Sequence, residues 1–146
     1  MENGKMNIKT IAFYILHFTF YISLLGCATK TTPVYAVIKT PDFKVADQGF
    51  LKEGFGYKAL VIYKTGNVPV KIVVKNSVVC LNGRCLNKKK FIKSFLGANY
   101  PSDFLDKLLE YKCPKNFYCI KKEDTILFKD RNKKITIFLK TIKDDK

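Results

Sequence analysis

Apolar residues recur with a period of two through much of this chain. Val68, Val70, Ile72 and Val74 alternate with Pro69, Lys71 and Val73, the pattern of a strand with one buried face. Pro69 is tolerable there because it stands at the strand's beginning. Ile135, Ile137 and Leu139 alternate in the same way with Thr136, Phe138 and Lys140, which predicts a last strand over residues 135–142. Shorter apolar runs predict strands at 34–38, 58–63, 77–81, 84–86, 116–120 and 125–129. Asn82-Gly83 is a strong two-residue hairpin signal and joins the two strands beside it. Residues 40–56 hold Pro41, Gly49, Gly54 and Gly56 and read mostly as loop, with the apolar pair Phe50-Leu51 inside. That pair either folds back into the core or forms an exposed apolar tip that touches lipid or a partner.

Between the strand groups the period changes. Phe91, Ile92, Phe95 and Leu96 share one face of a helix over 88–96, which Asn87 can cap and Gly97 can end. Phe104, Leu105, Leu108 and Leu109 form the stripe of a second helix, from Pro101 or Ser102 to about Lys112. Lys88, Lys89 and Lys90 crowd the first turn of the first helix, where the dipole disfavours cations. They are either a solvated lysine run or a basic contact patch. The expected fold is α+β. An antiparallel sheet of about six to seven strands, curved into an open half-barrel, is covered by two helices in one domain over residues 34–146.

The first residues follow another pattern. Lys5 and Lys9 precede an apolar run over residues 11–25, which closes in Leu24-Leu25-Gly26-Cys27. A positive start, an apolar middle and a small residue before a break is the layout of a secretory signal. The run is about 15 residues, short of the ~20 that span a bilayer as a helix. Its ending resembles the lipobox of bacterial lipoproteins. The resemblance implies cleavage between Gly26 and Cys27, a diacylglyceryl group on Cys27 and a further acyl chain such as palmitate on the new amine. Residues 1–26 would then be the signal and residues 27–33 a lipidated tether. In a Gram-negative cell, Ala28 in place of Asp implies the outer membrane, with the domain facing the periplasm.

That processing alters the chemical inventory. The 146 residues carry a net charge of +15, and of 27 basic residues only Arg84 and Arg131 are arginine. Losing residues 1–26 removes His17, the only histidine, and both methionines, and the chain has no Trp. A Ser-His-Asp or Cys-His nucleophile, His-containing zinc sites and haem ligation by His or Met are excluded from the mature domain. Ser77, Ser94 or Ser102 beside a lysine is the remaining catalytic option, and lysine is common enough for such pairs to arise by chance. The expectation is a protein without enzymatic activity, cofactor or metal. An exported chain poor in arginine is also a poor candidate for nucleic acid. Its charge suits anionic lipid headgroups better.

Four cysteines remain besides Cys27. An even number in an exported domain points to disulfides. With Asn82-Gly83 as the turn, Cys80 and Cys85 face each other across a hairpin at a spacing a disulfide tolerates. Cys113 and Cys119 bracket a second turn-like stretch, so the expected pairs are Cys80–Cys85 and Cys113–Cys119. A four-cysteine zinc site is disfavoured because its pairs usually have shorter spacing.

The stretch Lys90-Phe91-Ile92-Lys93-Ser94-Phe95-Leu96-Gly97, with Tyr100-Pro101 and then Phe104-Leu105-Asp106-Lys107-Leu108-Leu109, resembles the LolA/LolB family of lipoprotein carriers and acceptors. The likeness covers about twenty residues, and its Leu-Gly and Pro are a weak motif. The chain is shorter than that family and adds the cysteine pairs. The resemblance implies an open barrel with an apolar cavity for acyl chains or other lipoproteins, and gives Leu51 as the counterpart of an exposed loop leucine. Two functions compete. A lipid-handling module requires such a cavity. A structural or interaction lipoprotein, docking on an envelope complex through a sheet edge or the Lys88–Lys90 patch, requires a filled core.

Overall fold

The computed structural model describes residues 7–23, 29–64, 66, 68–97 and 99–143. The elements are α1 (Ile8–Ser23), β1 (Lys30–Lys39), β2 (Lys44–Gly54), β3 (Tyr57–Ile62), β4 (Val70–Lys75), β5 (Val78–Leu81), β6 (Arg84–Asn87), α2 (Lys88–Leu96), α3 (Phe104–Leu109), β7 (Cys119–Lys122), β8 (Thr125–Asp130) and β9 (Ile135–Thr141). The nine strands form one sheet in the order β6-β5-β4-β3-β2-β1-β9-β8-β7. Every neighbouring pair is antiparallel, and the sheet does not close into a barrel. Six strands run as successive hairpins to one edge. The chain then crosses beneath the sheet through α2 and α3, and the last three strands return from the other edge to pair β9 with β1.

The sheet has more strands than expected chiefly because residues 44–54, read as loop, form β2. Val45, Gly49 and Leu51 alternate into the core. Gly49 is required there: an added Cβ would overlap the Val61 carbonyl oxygen of β3. A close backbone approach therefore explains a glycine that imitates a turn signal. β1 begins at Lys30, inside the stretch 27–33 expected as a lipidated tether. Pro33 fits within β1 because the pairing with β9 begins only at Val34.

One sheet face packs on α2 and α3. Phe91, Ile92 and Leu96 of α2, and Phe104, Leu105, Leu108 and Leu109 of α3, join Ile38, Leu60, Ile72, Phe128 and Ile137 in one core. Asn87 caps α2 by accepting from the Lys90 amide at 2.9 Å, and Gly97 ends it in the left-handed region at φ 66°. The second helix is shorter than its apolar stripe suggests. Tyr111 takes a φ of 55°, and the chain leaves helix geometry after Leu109.

The Asn82-Gly83 turn has both residues at positive φ, 48° and 85°, as a hairpin of this length prefers. Asn82 does more than turn. Its amide donates to the Lys71 carbonyl at 2.8 Å, and its side-chain oxygen accepts from the Lys71 amide at 2.7 Å. It therefore stitches the hairpin to β4. Asn82→Ala should lower stability by about 1–2 kcal/mol through left-handed strain and the lost side-chain bond, measured by urea unfolding.

Candidate functional site

The residues that resemble a lipobox, Leu24, Leu25, Gly26 and Cys27, lie with Ala28 outside the described residues. On one side of them α1 carries the apolar run to Ser23 with its large side chains exposed. Among the described residues no helix is long and apolar enough to cross a membrane. On the other side β1 begins three residues after Cys27. Lys30 pairs with Glu53, beside the β2–β3 turn. The strand end that follows Cys27 in the sequence is thus at the end of the sheet that carries this turn.

Its tip is Phe55, which is 98% exposed. Gly54 pairs with Tyr57, leaving Phe55-Gly56 as the loop, and Gly56 takes φ 72°. A Cβ on Gly54 would overlap the Tyr57 ring. Gly56 suits the left-handed turn beside the phenylalanine, whereas a side chain at Gly54 would have to displace the Tyr57 ring. Sequence reasoning missed this residue, although an aromatic ring between two glycines was the available signal.

Of the two readings of Phe50-Leu51, the exposed tip is corrected, and the core reading holds for Leu51 alone. Both residues lie within β2. Leu51 is 4% exposed, on the core side between Thr32 and Leu60. Phe50 points the other way and meets Tyr63 edge-on at 5.9 Å. Strand alternation splits the pair between opposite faces.

The Lys88–Lys90 patch also divides. Lys88 Nζ donates to both carboxylate oxygens of Asp106 at 2.9 Å and ties α2 to α3. It is therefore a structural cation rather than a free contact. Lys89 and Lys90 remain exposed. With Lys93 they line a shallow groove whose apolar floor includes Ile92, Tyr100 and Pro101. Ser102 lies in the same groove, Ser77 is exposed, and the Ser94 hydroxyl donates to the Phe91 carbonyl at 3.2 Å.

Both cysteine pairs are disulfides, Cys80–Cys85 with Cα atoms 3.9 Å apart and Cys113–Cys119 at 5.6 Å. Their sulfurs are therefore not zinc ligands. No cluster of three potential metal-binding side chains occurs among the described residues.

The seam between sheet and helices is lined by Ile38, Leu60, Phe95, Leu108 and Ile137 among others, and its free volume is about 20 Å³. That is room for about one water and far below the roughly 300 Å³ of a small ligand pocket. Beside it, Tyr100 stacks on Phe104 at 4.7 Å and donates its hydroxyl to Asp130 Oδ2 at 2.6 Å. Burial, with the hydrogen bond and charge of Asp130, pushes the Tyr100 phenol well above its ordinary range. The same bond holds the Asp130 carboxyl low.

At the other side of the helical layer, Lys58 of β3 donates to Glu110 Oε1 at 2.6 Å and Lys112 to Oε2 at 2.7 Å. These bonds, from Lys112 first and then Lys58, lower the Glu110 carboxyl to about 2. Glu110 therefore binds a proton less readily folded than unfolded. Its contribution is present above the ordinary carboxylate value of 4.5 and is lost as pH falls through about 2. The group is partly exposed, so the loss should stay below ~1 kcal/mol. Comparing wild type with Glu110→Gln in urea from neutral to acid pH should show the two converging at the acid end.

No protein-family model matches the sequence, and no curated protein is significantly similar to it.

Proposed function

We propose that this chain is a small, non-enzymatic lipoprotein of the cell envelope. In this reading it is lipidated on Cys27, held at the outer membrane and facing the periplasm, and it acts as an interaction module that docks on an envelope protein. The observation that carries the choice over lipid handling is the filled seam of about 20 Å³. The ion pairs Lys88–Asp106 and Lys58–Glu110 support it further, since they bind the helices to each other and to the sheet. The docking surface in this reading is the α2 groove. Lys89, Lys90 and Lys93 present positive charge around an apolar floor, which suits an acidic protein surface.

A second reading keeps one supporting observation. The seam is apolar throughout and the sheet is unclosed, as a LolB-like acceptor of acyl chains or lipoproteins would need if the helices moved aside.

Photo-crosslinking in cells from a probe at Lys90 separates the two. The interaction reading expects one protein adduct of discrete mass, weakened when Lys89 and Lys93 are replaced by Glu. Adducts to lipid alone, with phospholipid co-purifying one to one, would sink it and favour lipid handling.

A further inference from the structure

The sheet face opposite the helices has a composition of its own. Strand register places Ile120, Leu127, Phe138, Val37 and Ala46 in one row across five strands. A second row holds Pro33, Phe50 and Val61. Tyr35, Phe50, Tyr63 and Ile120 are each more than a third exposed, although they are large and apolar. Around them stand Lys39, Lys44, Lys52, Lys129 and Lys140 at outward positions of the same strands, and Lys71 at an outward position of neighbouring β4. None of these six forms an ion pair among the described residues. No Asp or Glu occupies an outward position in any of the nine strands: Asp47, Glu53 and Asp130 all fall on the other parity.

We infer that this outer sheet face is a docking surface for an anionic phospholipid bilayer, so that the sheet lies against the membrane and the helices face away. The inference rests on the proposal that Cys27 carries lipid. Lys30 is the third residue after Cys27, and at ~3.5 Å per residue the central strand β1 starts at most about 10 Å from the anchor. The anchor therefore presents β1 and its neighbours to the lipid surface. Tyrosine and phenylalanine ringed by lysine is the composition of a water–lipid interface, where rings settle among headgroups and lysine stems reach their phosphates. Lysine is a flexible, hydrated point charge suited to a fluid field of headgroups, whereas a fixed carboxylate partner favours the arginine fork. Phe55 stands at the anchored end of the same sheet.

The chain has no Trp, so one introduced Trp reports one place. Tyr35→Trp and Tyr63→Trp mark the outer face, and Lys93→Trp marks α2 across the sheet. The full-length gene product, with whatever anchor the cell installs, is reconstituted into vesicles of phosphatidylcholine with one third phosphatidylglycerol, part of it brominated. Quenching at both outer-face reporters should exceed that at Lys93→Trp about threefold and fall in pure phosphatidylcholine. Equal quenching at all three sites, or none, overturns the inference. Shielding of the outer face without vesicles also overturns it: dependence on the protein's own concentration would assign the face to a second copy, and dependence on added cell extract to a protein partner. Intact mass of the same sample reads the anchor separately. A chain that keeps residues 1–26 without lipid sinks the lipoprotein proposal and leaves the quenching comparison readable.

Discussion

Replacing Cys27 with Ser should abolish the mature, membrane-held form. The variant should keep residues 1–26 and carry no acyl mass, where the wild type should begin at Cys27 with lipid attached. The expected size of the effect follows from burial. Each lipid methylene taken into the bilayer contributes about 0.8 kcal/mol, and two or more chains hold a protein stably where one does not. Without them there remain the outer sheet face and α1, which is 16 residues long and, among the described residues, too short to cross. An uncut α1 can still adhere to a surface, so fractionation alone does not decide the matter. Intact mass combined with an alkaline wash does. A serine variant that is still cut after Gly26 and resists the wash would show that lipidation is the wrong account.

Leu51→Glu should unfold much of the domain. Leu51 is 4% exposed between Thr32 and Leu60, and among the described residues no cation stands at its paired positions. An uncompensated charge in such a place costs about 3–5 kcal/mol, much of a small domain's stability. Phe50→Glu, one residue away on the outer face and 37% exposed, should cost under about 1 kcal/mol. Urea midpoints of the two variants test the alternation of β2 directly. Equal midpoints would mean that residues 44–54 do not form the strand described.

The contrast between those neighbours shows where sequence reasoning works here. Strands with clean alternation, such as β4 and β9, were legible because one face of each is buried along its length. The stapled hairpin was legible because Asn82-Gly83 fixes its register and thereby sets Cys80 opposite Cys85. Both helices could be read from their stripes, and α2 even from its caps. β2 could not, because Gly49 answers to the backbone of β3, a neighbour that local sequence does not announce. Lys88 was indistinguishable from Lys89 and Lys90 for the same reason: its partner Asp106 lies on another helix. The outer face stayed hidden because its rows are assembled from strands distant in the chain.

The position of β1 has a consequence for how the chain comes into being. It lies between β2, its immediate successor, and β9, whose Thr141 pairs with Val34. Six strands can assemble as local hairpins while the chain is still emerging, yet β1 keeps one open edge until the last strand arrives. Pairings this distant in sequence are slow because a long loop must close first. A chain interrupted before Ile135 would present bare edges on both β1 and β8, each a template for pairing with another molecule. If the chain is exported N-terminus first, as the lipoprotein proposal requires, completion of the sheet and completion of export are nearly the same event.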